Sequence, residues 1–93
     1  MKYFVYIAIE RKEAILDPAG KATEHALASL GFTGIENTRI GKLVRLKIEA
    51  ETTDQAKRLG EAAAQKLLSN PIMEEFTVIE VTDQPKLGIA VTA

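Results

Sequence analysis

The stretch LDPAGKATEHALASLGF, residues 16–32, decides the fold because it marks both ends of a helix. Asp17 is a good N-cap, since its carboxylate can accept hydrogen bonds from the free amides of the first turn. Pro18 suits the first helical position, and Gly31 stands where a left-handed residue closes a helix. A narrow apolar stripe recurs at helical spacing between them: Ala19, Ala22, Ala26 and Leu30. The stretch therefore predicts a short helix that lies against a sheet.

A second helix repeats this design further along the chain. Thr52 and Gln55 have the spacing of a capping box, and Asn70-Pro71 ends the helix shortly after Leu68. Its stripe maps onto that of the first helix at one constant offset: Ala56, Leu59, Ala63 and Leu67. Small residues in both stripes let a helix lie close to a sheet. The two helices are therefore expected to pack in the same way.

Four segments have the composition of strands: residues 3–9, 35–40, 43–49 and 75–81. The first is apolar on both faces, which fits a strand covered on two sides and predicts at least a homodimer. Gly41-Lys42 predicts a hairpin turn between the second and third strands, with the glycine at positive φ. The order βαββαβ predicts a ferredoxin-like α+β sandwich, in which one antiparallel sheet carries two helices on one face.

Length and composition limit the function. The 93 residues predict a single domain over residues 1–81, followed by a tail over 82–93 that either adds an edge strand or docks on a neighbour. The net charge of −1 argues against nucleic acid or an anionic membrane as the main partner. The absence of cysteine excludes disulfides and thiolate chemistry. No apolar run approaches the ~20 residues of a membrane helix, and no secretory signal is present, so a cytoplasmic protein is expected.

A search for catalytic or cofactor-binding groups finds none that fits a known pattern. His25 is the only histidine, and no nucleophile is spaced to use it, which favours a residue at the stripe border or an interface over a general base. No Gly-rich phosphate loop and no metal-ligand spacing is present. The basic residues Arg39, Lys42, Arg45 and Lys47 indicate either an exposed strand face or a contact with a partner or anion. The residues alone favour a binding or scaffolding module over an enzyme.

Three segments together resemble the PurS family, the small subunit of phosphoribosylformylglycinamidine synthase. They are the stretch over 16–32, RIGK at 39–42 and KLLSNPIMEEFTVIEV at 66–81. In that family the helix reads leucine, aspartate, proline, any residue, glycine, lysine and alanine, then glutamate, histidine, alanine and leucine. The matching residues here are Leu16, Asp17, Pro18, Gly20, Lys21 and Ala22, then Glu24, His25, Ala26 and Leu27. The resemblance covers residues 2–81 and does not extend to the tail.

The resemblance implies a non-catalytic bridging subunit, a homodimer or a tetramer, in a complex of purine biosynthesis. It implies as partners a PurQ-like glutaminase and a PurL-like synthetase, with assistance to ammonia transfer as formylglycinamide ribonucleotide becomes formylglycinamidine ribonucleotide. The chain itself is expected to bind no cofactor, whereas the complex uses ATP and glutamine. Polar residues that the fold does not need are the candidate partner contacts: Lys21, His25, Arg39 and Lys42.

Arg39 and Lys42 are expected to be exposed beside the hairpin turn, so that reversing either charge costs little stability. The alternative function, from a different class, is a stand-alone small-molecule sensor on a ferredoxin-like fold. Its ligand would lie between the helices of paired subunits.

Overall fold

The structure, a computed structural model, describes residues 1–85. Its elements, in chain order, are β1 (Lys2–Arg11), α1 (Pro18–Ser29), β2 (Lys42–Glu49), α2 (Thr53–Ala63) and β3 (Glu74–Thr82). A π-helical turn over Ala64–Leu68 continues α2. The apolar part of the tail, residues 87–91, lies outside the described residues.

The three strands form one antiparallel sheet in the order β2-β1-β3. Val5 of the central strand lies opposite Leu46 of β2 and Val81 of β3. The central position explains why β1 is apolar on both faces, since Val5, Tyr6 and Ile7 are all buried. The predicted α+β class, with an antiparallel sheet and two helices, is confirmed.

The hairpin predicted around Gly41 is wrong, because residues 35–40 form no strand and β2 pairs with β1. Gly34 has φ +82° and Asn37 has φ +56°, and these left-handed residues interrupt an extended segment. Gly41 is needed for a reason other than positive φ. A side chain at this position would collide with the carbonyl oxygen of Ile9.

Small residues of α2 and its π-helical turn pack against the sheet. Ala56, Gly60 and Ala64 are buried, and a Cβ atom at Gly60 would lie 2.8 Å from Cγ1 of Val5. The prediction that Leu59 and Leu67 belong to the buried stripe is wrong, since they are 48% and 82% exposed. The helix approaches the sheet along its smallest residues, four apart, and this places the two leucines beside the contact.

The predicted ends of α1 are confirmed. The Asp17 carboxylate accepts a hydrogen bond from the Gly20 amide at 3.0 Å, and Gly31 has φ +94°. The amides of Gly31 and Phe32 donate to the carbonyls of Ala28 and Leu27, which is the Schellman arrangement. Local rules are sufficient to end this helix.

The side that α1 presents differs from the prediction. Gly20 is its only buried residue, and the apolar stripe over Ala19, Ala22, Ala26 and Leu30 is exposed. The Cα radius of gyration is 15.8 Å, whereas a compact domain of this length has about 12 Å. Among the described residues, α2 packs on the sheet, while α1 leaves its stripe uncovered.

Candidate functional site

A group of polar side chains, which we call the clasp, joins α1 to the segment before β2. Its members are Glu13, Asp17, Glu24, Asn37 and Arg39. Both oxygens of the Asp17 carboxylate are used: Oδ1 accepts from the Gly20 amide at 3.0 Å and Oδ2 accepts from the Ile40 amide at 2.8 Å. The residue that caps α1 therefore also binds the chain just before β2.

Glu24 makes a second connection from the second turn of α1. Its Oε1 accepts from the Thr38 amide at 2.8 Å. Because Asp17 and Glu24 satisfy the Ile40 and Thr38 amides, these groups have no need of a neighbouring strand. This accounts for the missing strand over residues 35–40.

Arg39 connects the same segment to the loop that follows β1. Its Nη1 donates to the Ile15 carbonyl at 2.8 Å and its Nη2 to the Glu13 carbonyl at 2.7 Å. Asn37 Nδ2 donates to the Glu13 side chain at 2.6 Å. A planar guanidinium with several donors suits two adjacent carbonyls in this way.

Gly20 allows the segment to come this close to α1. A side chain at Gly20 would collide with the carbonyl oxygen of Thr38. The aspartate, glycine and glutamate of the helix motif thus act together with the arginine of RIGK, although the two motifs are separate in sequence.

Hydrogen bonds to the ionised form lower the pKa of both clasp carboxyls on α1. The Ile40 amide is the main cause for Asp17, followed by the Gly20 amide, and partial burial opposes them. The Thr38 amide is the main cause of the lowered pKa of Glu24. Both groups are therefore ionised at neutral pH and form charge-assisted hydrogen bonds.

The clasp borders a cavity of about 330 Å³, and two of the candidate partner contacts, Lys21 and Arg39, line it. Lys42 lines an adjoining cavity of about 290 Å³, and Asp17 borders both. His25 lies apart from them on the exposed surface of α1. The structure thus brings three of the four candidates to one region.

Arg39 is not the exposed charge that the sequence predicts. Its side chain is only 16% exposed, and its guanidinium is bound to two carbonyls within the clasp. Lys21, His25 and Lys42 are exposed, as a partner contact requires.

The clasp binds backbone groups, which is a structural rather than a chemical task. Among residues 1–85, no group of three histidine, cysteine, aspartate or glutamate side chains could hold a metal ion. Over the same residues, no helix is long and apolar enough to span a membrane.

Sequence reasoning gave no role to Glu13, Gly20 or Glu24. Gly20 and Glu24 are part of the helix motif, which on sequence alone indicates only the family resemblance. The sequence does contain one indication of their role. They lie close to Asp17 in a motif, and the formation of a helix does not by itself require a glycine and a glutamate at these positions. Glu13 lies in a charged loop and has no local signal, because its partners are more than 20 residues away.

Known proteins are similar to the chain over most of its length. A family model described as PurS: Phosphoribosylformylglycinamidine (FGAM) synthase matches residues 4–82. The phosphoribosylformylglycinamidine synthase subunit PurS of Archaeoglobus fulgidus is 36% identical over 73 residues, or 78% of this chain and 91% of that protein. The subunit of the same name from Bacillus subtilis is 36% identical over 74 residues, or 80% of this chain and 87% of that protein.

Solved structures are similar in fold as well. Thermus thermophilus PurS has a TM-score of 0.82 at 34% identity, covering 91% of this chain and 100% of that chain. A chain of the PurLQS structure from Thermotoga maritima has a TM-score of 0.74 at 28% identity, covering 87% of this chain and 95% of that chain.

Proposed function

Because the chain belongs to the PurS family of phosphoribosylformylglycinamidine synthase, we propose that it is the bridging, non-catalytic subunit of that enzyme in purine biosynthesis. The observation that carries the proposal is the family match over residues 4–82. The similarity to a chain of the PurLQS structure supports PurL-like and PurQ-like subunits as the partners.

In this complex, the PurQ-like subunit releases ammonia from glutamine and the PurL-like subunit uses ATP to form formylglycinamidine ribonucleotide. Ammonia attacks only while it is unprotonated, so the two sites must be held together and shielded from water. In this proposal the chain supplies the docking and binds neither ATP nor glutamine; its sequence contains no phosphate loop. We also propose that the complex is cytoplasmic, as the sequence analysis predicts.

Reconstitution tests this role. The PurL-like and PurQ-like subunits are assayed with and without the chain, using either glutamine or ammonium chloride as the nitrogen source. The chain is expected to be required with glutamine and dispensable with high ammonium. Equal glutamine-dependent rates without the chain would overturn the bridging role.

A homodimer is the second part of the proposal, and the exposed side of α1 supports it. The uncovered stripe is continued at both ends of the helix by Leu16 and Phe32, which are 68% and 56% exposed. Apolar surface of this extent is characteristic of an interface.

The sheet offers a matching surface. On the side that carries α2, the β2 residues Val44, Leu46 and Ile48 remain only half-buried. If α1 of a second copy lay on this part of the sheet, the stripe and the strand would both be covered. A two-fold axis would give each copy the same contact.

Sedimentation velocity at micromolar concentration is expected to give a dimer or a multiple of it. If the chain stays monomeric at all concentrations up to about 100 µM, its dimer dissociation constant lies above that value, which is very weak binding. That result would overturn the homodimer. It would leave the reconstitution assay unaffected, because a bridging subunit can act as a monomer.

A further inference from the structure

The position of α1 relative to the sheet needs an explanation, because apolar packing among residues 1–85 does not supply it. Gly20 is the only buried residue of the helix, and the core consists of the sheet and the α2 region. A helix with so little buried surface would be free to swing about the loops at its two ends unless other bonds held it.

We propose that Asp17, Glu24 and Arg39 are positioning residues that hold α1 at a fixed angle to the sheet in the single subunit, so that its stripe is already oriented for a second copy. The first half of this proposal concerns one chain. The second half rests on the proposed homodimer.

The bonds of the clasp have the directions that such a role requires. Asp17 caps the helix and Glu24 lies about two turns further along the same side, and they bind the Ile40 and Thr38 amides, two residues apart. Two contacts along one helix fix its direction, whereas one contact would leave it able to rotate. The Ile40 end of this segment leads directly into β2, which is part of the sheet.

Arg39 fixes the other side of the same segment. Its guanidinium binds the carbonyls of Glu13 and Ile15, in the loop between β1 and α1. The segment over residues 38–40 is therefore held between α1 and the β1 loop. Both chain connections of the helix are joined to each other and to strands of the sheet.

The stripe lies away from these contacts. Residues 20, 24 and 27 face the clasp side of α1, and the stripe over 19, 22, 26 and 30 is roughly a third of a turn around the helix from them. The clasp can therefore hold the helix without covering the surface that the second copy would use. Because ordering a mobile element on binding costs affinity, a helix held in place beforehand binds more tightly.

Glu24 offers a matched test. Glu24→Ala removes the acceptor for the Thr38 amide, whereas Glu24→Gln keeps an oxygen acceptor without the charge. Glu36→Ala removes an exposed carboxylate from the same part of the chain and serves as the control. All three leave the stripe and the core unchanged.

The readout is the angle of α1 itself. The chain has no cysteine, so Ser29→Cys on α1 and Lys57→Cys on α2 provide two unique sites for spin labels, both exposed. Electron–electron distances are measured on the labelled chain at a concentration at which sedimentation shows a monomer, so that only distances within one subunit contribute and no second copy holds α1. The dimer dissociation constant is measured on the unlabelled variants.

We expect a narrow distance distribution in the unsubstituted chain, in Glu24→Gln and in Glu36→Ala, and a broad one in Glu24→Ala. The dimer dissociation constant should rise at least about tenfold in Glu24→Ala and less than about threefold in the other two. A narrow distribution in Glu24→Ala, or a broad one in the unsubstituted chain, would overturn the positioning role. A chain that is always monomeric, yet shows the expected distances, would support the positioning role and overturn only the homodimer.

Discussion

Arg39 and Lys42 are three residues apart and carry the same charge, but they have different surroundings. The side chain of Arg39 is 16% exposed and its guanidinium is bound to two carbonyls, whereas Lys42 is exposed at the start of β2. Arg39→Glu would replace the donor with a carboxylate facing carbonyl oxygens, and we expect the free energy of unfolding to fall by about 2 kcal/mol or more. Lys42→Glu should change it by less than about 0.5 kcal/mol.

Urea unfolding of the two charge-reversal variants measures this difference. Similar midpoints for both would mean that the Arg39 bonds contribute no net stability. If Lys42→Glu keeps its stability but lowers glutamine-dependent synthesis in the reconstituted complex, Lys42 is a partner contact. Arg39→Glu cannot decide that question, because it changes the clasp as well.

At the scale of elements, the sequence predicted what is decided locally. The caps of α1 follow from Asp17, Pro18 and Gly31, since each acts on backbone groups within a few residues. The strand at residues 35–40 could not be ruled out in this way. The groups that satisfy its amides come from Asp17 and Glu24, and no local pattern shows that a capping residue has a second partner 23 residues away.

The buried side of α2 was mispredicted for a related reason. Hydrophobic periodicity favours the stripe with the largest residues, which placed Leu59 and Leu67 inside. The sheet selects instead the side on which Gly60 allows the closest approach. Size complementarity between helix and sheet decides this contact, and it depends on both partners.

Gly60→Ala tests this packing. Alanine is favoured over glycine within a helix by about 1 kcal/mol, so an exposed glycine would be stabilised by the change. Here the new Cβ would lie 2.8 Å from Cγ1 of Val5, a stiff, fully buried side chain. We expect a net loss of about 1 kcal/mol in the free energy of unfolding, because overpacking costs about 1–3 kcal/mol. Lys57→Ala, one turn earlier on the exposed side, is the control, and a stabilised Gly60→Ala would contradict the close contact.

The clasp should open in acid. The pKa values of Asp17 and Glu24 in the folded chain lie below their ordinary values of 3.8 and 4.5. The stabilisation that the two ionised carboxylates provide is therefore complete when the pH is above the ordinary values, and it is lost as the pH falls through the lowered pKa values of the folded chain.

NMR should show the amide protons of Ile40 and Thr38 shifting together below about pH 4. The Gln55 amide, bound to the Thr52 hydroxyl, should not follow them; independent titration of the two clasp amides would argue against one cooperative unit.

At the scale of the whole molecule, the exposed apolar stripe of α1 favours association of the extended chain with a second copy. The core consists of three strands and α2, and the largest uncovered apolar residues include Leu16, Leu30 and Phe32, around α1. A subunit that bridges two enzymes benefits from such a shape, since a thin, extended body presents more surface per residue than a compact one. The homodimer would then supply the stability that a small core does not.

Substitution of two alanines of α1 can distinguish the proposed interface from the rest of the helix surface. Ala26 lies in the stripe, and Ala28 lies on the opposite side; both are exposed in the single chain. Glutamate has the same effect on helix propensity at either position. A difference in dimerisation between the two variants therefore depends only on which side of the helix is changed.

In Ala26→Glu, a carboxylate would be placed in an apolar contact without a partner. We expect sedimentation to show its dimer dissociation constant raised at least about tenfold, equivalent to about 1.4 kcal/mol, and that of Ala28→Glu unchanged. If Ala28→Glu weakens the dimer as much as Ala26→Glu, the second copy does not bind along the stripe, and the half-buried strand β2 must be covered by another subunit of the complex.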